Sequence, residues 1–236
     1  MNAVELPAVE LARLMRRTWP HTAGPGDHPQ LRVVRLEWDG ATLHAVATNR
    51  FRLAWARHTP PAGAARPAGP WAVHLPAEHA RALAVTWWQI AANSGECANC
   101  GDGVGCCASC PEHAYPAQGP ALLAGPDDGW LVVEAPAGQP GGRYRLAEVP
   151  DPARWPASMP DSRRHWRDLF HPSATEVQAG RAVAGAAVAA FADAYGEPCM
   201  VRFTELGPLL RLDIEDDYTG LIAYQHGGIT RSLAQP

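Results

Sequence analysis

Five of the six cysteines lie within one short glycine-rich stretch, where they include two Cys-x-x-Cys pairs. Each pair makes a tight loop that presents two thiolates to one metal, and four thiolates complete a tetrahedral Zn²⁺ site. The glycines between the pairs allow the chain to reverse direction. The sequence therefore predicts a structural zinc site with four thiolate ligands, Cys97, Cys100, Cys107 and Cys110.

Other ligand sets remain open for this cysteine cluster. Cys106 could take the place of Cys107, and His113 could replace one thiolate. The two pairs are closer together than in ordinary zinc ribbons, and four cysteines also suit an iron–sulfur cluster; disulfides and free thiols are further alternatives. A closed four-thiolate site has no coordination position for a substrate, so zinc would fold a polar insertion here rather than catalyse a reaction.

Arginines on the predicted helices form a second candidate group. In the first helix Arg13 and Arg17 are four residues apart and share a face, with Arg16 one position round from it. The second helix contributes Arg81 and the third Arg181. These arginines could contact DNA phosphates, but we favour the competing interpretation that they form an ordinary solvated face. The same two interpretations apply to a basic cluster around Trp166, at 163–167.

Signs of catalysis are weak. The sequence contains no GxSxG, Walker A, GxGxxG or HExxH motif. The acidic run Asp213–Asp217 favours a solvated hairpin turn over a metal site. His44 and His74 fall in predicted strands and are interpreted as structural. We expect no enzyme activity.

Composition limits the class of protein further. The chain has 236 residues, of which 47% are hydrophobic, so it can bury a sizeable core. The formal net charge is −4 and all 20 basic residues are arginine, which gives no general support for tight nucleic-acid binding. With no signal peptide and no apolar run long enough to cross a bilayer, we expect a cytoplasmic protein without a membrane partner.

The elements that would position these residues follow a recurring order of strand, helix and two or three strands. Asp39-Gly40 predicts a hairpin between strands Leu31–Trp38 and Thr42–Thr48, followed by a strand at Phe51–Arg57. Predicted helices begin after Pro7, span Ala77–Trp88, and span Ala174–Tyr195. We divide the chain into a first unit 1–59, a second unit 71–150 with a Cys-rich insertion 93–126, a Pro-rich connector 151–170, a third unit 171–226 and a tail 227–236.

The first two units share a short internal match. ELPAVELARLM in the first unit and HLPAEHARALA in the second both place Leu-Pro-Ala between a strand and an amphipathic helix. Proline fits the first helical turn, because its missing N–H has no partner there anyway. The match predicts an α+β fold built from about three βαβββ units.

The hairpin LEWDGATLHAVATNRFRLAWARH carries a resemblance to a known family. Its segment Ala47–Ala54, ATNRFRLA, resembles the ATDGHRLA motif of the bacterial DNA sliding clamp, the beta subunit of DNA polymerase III. In that family a pocket beside this strand captures short peptides of polymerases and repair proteins. The resemblance implies a peptide-binding pocket at positions on this strand and on the last strand, namely Thr48, Phe51, Arg52, Leu53, Ile222 and Tyr224.

The chain also departs from the family. Clamp subunits contain six such units, whereas about three are present here, and the last strand lacks the family's C-terminal signature. Arg50-Phe51 stands where the motif has Gly-His. The resemblance therefore leaves the identity of any peptide partner open.

We expect a clamp-like accessory factor of DNA replication or repair that binds polymerase or other clamp-binding proteins, with possible encirclement of double-stranded DNA and possible homo-oligomers. The main alternative is a clamp-derived interaction or regulatory module that does not bind DNA. An enzyme is the third hypothesis.

Overall fold

The computed structural model describes residues 2–94, 120–136, 141–149, 155, 185–196, 200–206 and 209–224. The cysteine cluster, Arg181, the basic cluster 163–167 and the tail 227–236 lie outside the described residues. The predictions made for them, including the zinc site, therefore stay predictions.

Three α-helices and eleven β-strands make up the described fold. The helices are α1 (Ala8–Thr18), α2 (Ala77–Ser94) and α3 (Gly185–Tyr195), and a 3-10 turn at Trp19–His21 follows α1. The strands are β1 (Val4–Pro7), β2 (Val33–Trp38), β3 (Leu43–Thr48), β4 (Arg52–His58), β5 (Trp71–Pro76), β6 (Ala121–Asp127), β7 (Trp130–Glu134), β8 (Gly142–Arg145), β9 (Val201–Leu206), β10 (Leu209–Ile214) and β11 (Tyr218–Ala223).

The strands form two antiparallel sheets. One has four strands in the order β1-β6-β7-β8, and the other has seven in the order β5-β2-β3-β4-β11-β10-β9. The first two units exchange their leading strands: β1 joins the strands that follow α2, and β5 joins the strands that follow α1. Helices α1 and α2 are therefore each preceded by a strand of one sheet and followed by strands of the other.

The third unit joins the first by direct strand pairing. Strand β11 pairs antiparallel with β4, so that β9, β10 and β11 extend the sheet of the first unit. Sequence patterns predicted each of these strands but not this pairing, because a hydrophobic alternation identifies the inward face of a strand and not its neighbour.

The main core lies between the helices and the inner faces of both sheets. Helix α1 contacts α2 and α3 as well as β3 and β4, and each of its residues is buried or half-buried. Apolar residues at helical spacing, among them Leu11, Leu14 and Met15, point into this core. The α1 helix is thus the central contact element of the described fold.

A smaller apolar cluster covers the outer face of the seven-stranded sheet. Trp155, from the predicted Pro-rich connector, packs there against Val33, Val46, Leu53 and Leu221. Its indole Nε1 donates a hydrogen bond to the carbonyl oxygen of Gln30 at 2.7 Å. This contact fixes one point of the connector on the sheet.

Two elements beside the Cys-rich insertion extend further than the sequence predicted. Helix α2 continues to Ser94, past the predicted end at Trp88, and β6 begins at Ala121, inside the predicted insertion 93–126. The β6 segment ALLAGPD contains glycine and proline, which disfavour strands locally. Its pairing with β1 and β7 on both sides overrides that weak preference.

Candidate protein-interaction site

The loop between β3 and β4 carries the motif residues, and two side chains fix its shape. The hydroxyl of Thr48 donates to the carbonyl oxygen of Arg52 at 2.7 Å and accepts from the Arg50 N–H at 3.2 Å. The Asn49 side-chain oxygen accepts from the backbone N–H groups of Phe51 and Arg52, at 3.2 and 3.0 Å. Each bond joins residues two to four apart, so the loop is rigid largely through its own sequence.

Arg50 adopts a backbone conformation that normally favours glycine, with φ at +78°. The ATDGHRLA motif has glycine at the corresponding position. Because a side chain at positive φ crowds its own backbone, arginine costs about 1 kcal/mol here. The turn of the motif is therefore retained although its glycine is not.

The predicted pocket residues of the last strand lie beside this loop. In the β4–β11 pairing Arg52 faces Ile222 and Leu53 faces Leu221. The N–H of Ala223 donates to the carbonyl oxygen of Phe51 at 2.9 Å. Thr48, Phe51, Arg52, Leu53, Ile222 and Tyr224 thus lie where the ends of β3, β4 and β11 meet, in the middle of the seven-stranded sheet, and we call this place the motif corner. The structure does not gather them into one pocket, because Leu53 packs in the cluster on the outer face and Ile222 packs in the main core.

The apolar side chains of the motif corner are mostly buried, so they do not line an open pocket. Thr48, Leu53, Ile222 and Tyr224 are buried, and Arg52 is half-buried. Phe51 is 71% exposed. The corner therefore presents one aromatic side chain on a hydrogen-bonded loop, above neighbours that are already packed.

A polar junction behind the motif corner links the first and third units, and sequence reasoning missed it. Arg17 Nη1 lies 2.7 Å from Asp217 Oδ2, and the guanidinium carbon of Arg17 lies 4.3 Å from the centre of the Tyr195 ring. The Tyr218 hydroxyl donates to the carbonyl oxygen of Arg17 at 2.8 Å. These contacts join α1 to α3 and to the β10–β11 turn.

His21 completes this junction in its neutral form. Its ring stacks on Phe191 with centroids 4.1 Å apart, and its Nε2 lies 2.9 Å from the Tyr218 hydroxyl oxygen. Since that hydroxyl donates to Arg17, His21 Nε2 must carry the proton that Tyr218 accepts. Burial, with the positive charge of Arg52 acting in the same direction, lowers the pKa of His21 to about 3.

Close packing at the junction also requires glycine in β11. The ring of Phe191 occupies the space that a Cβ on Gly220 would fill. Any larger residue at this position would push α3 away from the sheet. A strand glycine is thus explained by the approach of an aromatic ring.

The arginines of the described helices do not form one free basic surface. Arg17 is buried in the junction, which differs from the expectation that it shares a solvent-facing set with Arg13. Arg13 pairs with Glu10 at 2.7 Å, and the guanidinium carbon of Arg16 lies 4.7 Å from the centre of the Trp88 ring. Arg81 is exposed, beside Trp19 at 5.5 Å.

The charges on these helices balance once the Arg17–Asp217 pair is set aside. Arg13, Arg16 and Arg81 are matched by Glu10, Glu78 and Asp193 among the described helical residues. A surface whose positive and negative charges cancel attracts phosphates only weakly. The described helical surface therefore has no net positive charge.

Three further features complete the description. Beside Trp19 lies an open groove of about 580 Å³, lined by α2 side chains that include Arg81 and Val85. Within the described ranges, His, Cys, Asp and Glu form no group of three that could hold a metal ion. None of the helices in those ranges is long and apolar enough to span a bilayer.

Comparison with known proteins points to one architecture. No protein-family model matches the chain, and no curated protein sequence matches it. Solved DNA sliding clamps match it in three dimensions: one from Pseudomonas aeruginosa has a TM-score of 0.59 at 14% identity and covers 96% of this chain and 67% of its own. The clamp of Bartonella birtlesii, bound to griselimycin, has a TM-score of 0.60 at 9% identity, with 96% and 66% covered.

The Bacillus subtilis clamp agrees, with a TM-score of 0.56 at 12% identity over 96% of this chain and 64% of its own. The fold defined by these comparisons is that of a DNA-clamp protein. More specifically, the chain resembles the beta subunit of bacterial DNA polymerase III in fold, and this confirms the resemblance carried by ATNRFRLA. In a second P. aeruginosa clamp structure, the match spans 65% of the clamp chain.

Proposed function

We propose that this chain is a clamp-fold accessory factor of DNA replication or repair that acts by binding protein partners at the motif corner. The observation that supports the proposal most strongly is the clamp fold itself, which covers 96% of the chain in the comparisons. The proposed activity is binding rather than catalysis. The division into units 1–59, 71–150 and 171–226 and the four-cysteine zinc site are parts of the same proposal.

Local geometry supports the motif corner as the place of contact. Phe51 offers the large exposed aromatic surface that interface hot spots commonly use. Thr48 and Asn49 already hold the loop in one shape, so little conformational entropy is lost when a partner binds.

Griselimycin provides a probe for this proposal, because clamps from P. aeruginosa and B. birtlesii have been solved bound to it. Its affinity for the full chain can be measured by calorimetry, with Phe51→Ala as the test variant and Phe203→Ala as the matched control. Both phenylalanines are exposed, but Phe203 lies on β9, away from the motif corner. We expect Phe51→Ala to weaken binding about tenfold or more and the control to leave it unchanged. Absent binding, or equal loss in both variants, would contradict the proposed corner.

A second candidate is an interaction module that does not hold DNA. The balanced charge of the described helical surface favours it over a DNA-encircling clamp. Retention on nicked circular DNA, compared with the same DNA linearised, distinguishes the two. Salt-sensitive retention lost on linearisation would support encirclement, and equal low retention on both would support the module.

A further inference from the structure

Among the described strands, β9 is an edge of the seven-stranded sheet, and its side chains are exposed. Arg202, Phe203, Thr204 and Glu205 are all exposed. Phe203 is 53% exposed, and Met200, just before the strand, is 83% exposed. An edge strand with free backbone groups and apolar side chains is a template for adding another strand.

The equivalent strands of the other two units are covered. The first strand after α1 is β2, and β5 pairs along it; the first strand after α2 is β6, and β1 pairs along it. Strand β9 is the first strand after α3, and no strand pairs with its outer edge among the described residues. The covering strands β1 and β5 also form backbone hydrogen bonds with loops. The Glu5 N–H in β1 donates to the carbonyl oxygen of Ala65, and the His74 carbonyl oxygen in β5 accepts from the Ala147 N–H.

The two covering strands share one pattern of side chains. Each presents two apolar residues, two positions apart, to the inner face of its neighbour and then ends in proline. The facing pairs are Val34–Leu75 and Leu36–Val73 in one sheet, and Leu122–Leu6 and Ala124–Val4 in the other. The residue between the two apolar positions is Glu5 in β1 and His74 in β5.

Strand β9 offers the matching half of this pattern. Val201 and Phe203 face Ile214 and Leu212, which are buried in the main core, so both lie on the inner face of the sheet. Arg202 lies between them on the outer face. By analogy with the covered strands, an added strand would place apolar residues opposite Val201 and Phe203, a polar residue opposite Arg202, and proline near Met200.

We propose that the outer edge of β9 binds an extended segment of a partner polypeptide, running antiparallel, with the sequence pattern apolar–acidic–apolar–proline. The two apolar side chains cover Val201 and Phe203, and the acidic side chain pairs with Arg202 across the strands. Backbone hydrogen bonds to β9 supply affinity, and the side-chain pattern supplies specificity. This surface is separate from the motif corner and does not depend on its function.

The probe is a labelled peptide with the sequence of residues 2–8, NAVELPA, which has the required pattern, titrated against the full chain by fluorescence anisotropy. We expect Phe203→Ser to weaken binding about tenfold or more, and the control Phe51→Ser, a change at an exposed phenylalanine on the β3–β4 loop, to leave it unchanged. We expect Arg202→Glu to weaken binding of the native peptide. The same variant should bind a peptide with arginine in place of Glu5 more tightly than it binds the native peptide.

Two versions of the peptide, N-methylated at Glu5 or at Leu6, test strand addition itself. Adjacent amides of a strand point in opposite directions, so one methyl group should abolish binding and the other should have little effect. Equal effects of both methyl groups, equal binding by Phe203→Ser, or no binding at about 1 mM peptide would overturn the proposal. The proposal would also be overturned if the chain formed a homodimer and Glu205→Pro converted it to a monomer. That result would mean that a second copy of the chain occupies the β9 edge. Griselimycin binding by Phe203→Ser reports on the motif corner independently.

Discussion

Arg17 and Asp217 are 200 residues apart in the chain, yet Nη1 of one lies 2.7 Å from Oδ2 of the other. The Arg17 side chain is 5% exposed and that of Asp217 is 40% exposed. The pair joins α1 to the turn between β10 and β11, and so fixes the third unit against the first. Arg17, which the sequence suggested as a DNA-contacting residue, therefore has a structural role in this chain.

Removing the carboxylate partner should therefore destabilise the protein. Asp217→Ala leaves the Arg17 guanidinium buried without its counter-charge, and we expect a loss of about 1–3 kcal/mol in the free energy of unfolding. Urea denaturation followed by circular dichroism measures it. Glu10→Ala breaks the pair with Arg13, whose side chain is 26% exposed and can be solvated without its partner, and should cost about 1 kcal/mol or less. Equal small losses in both variants would show that the junction does not need the ion pair.

Acidification should weaken the fold through two buried histidines. Burial lowers the pKa of His21 to about 3 and of His74 to about 4, with Arg52 and Arg35 respectively adding to the effect. Both rings bind a proton more readily when unfolded, so their contribution to stability is complete above about pH 6.5 and is lost as the pH falls toward the folded pKa. Each should remove about 2 kcal/mol between pH 7 and pH 5.

The variant His21→Gln tests this assignment by urea denaturation at both pH values. We expect it to be less stable than the wild type at pH 7 but to lose less stability on going to pH 5. The exposed His28→Gln serves as the control and should keep the wild-type pH dependence. A His21→Gln variant with an unchanged pH dependence would exclude His21 as a source of acid sensitivity.

The backbone strain at Arg50 predicts an unusual response to glycine. Arg50→Gly relieves the positive φ and should leave the melting temperature unchanged or raise it, with a gain of up to about 1 kcal/mol. Arg50→Val adds branching at the same φ and should cost about 1–2 kcal/mol. Differential scanning calorimetry compares the two. A loss of stability in the glycine variant would mean that the Arg50 side chain contributes more than the strain costs.

The proposed zinc site has a direct chemical test. Purified protein should contain about one zinc per chain by elemental analysis, and Cys100→Ser should lose it. Cys199 lies far along the sequence from the two Cys-x-x-Cys pairs, so Cys199→Ser should retain the metal. The zinc assignment would be contradicted if wild-type protein, purified under reducing conditions, were found to contain no zinc or to contain iron instead.

Local sequence signals identified many of the elements of this fold. Asp39-Gly40 predicted the β2–β3 hairpin, and Gly40 indeed has a positive φ of 104° while Asp39 accepts hydrogen bonds from the next backbone amides. The helix predicted to begin at Ala77 does begin there as α2. These features depend on residues a few positions apart, which sequence patterns report well.

Features that depend on distant contacts could not be predicted in the same way. The β4–β11 pairing, the burial of Arg17 and the packing of Trp155 on the outer sheet face each join residues far apart in the chain. An arginine at helical spacing has the same local signature whether it faces solvent or a buried carboxylate. The motif corner was found by resemblance to a known motif, whereas the burial of its apolar residues required the three-dimensional structure.

Hydrogen–deuterium exchange of the full chain with and without griselimycin tests the proposed interaction site most directly. Binding at the motif corner should slow exchange of the amides at 49–53 and 221–224, where the β3–β4 loop meets β11. Unchanged exchange at this corner, with new protection beside the Trp19–Val85 groove or along β9, would contradict the proposed site.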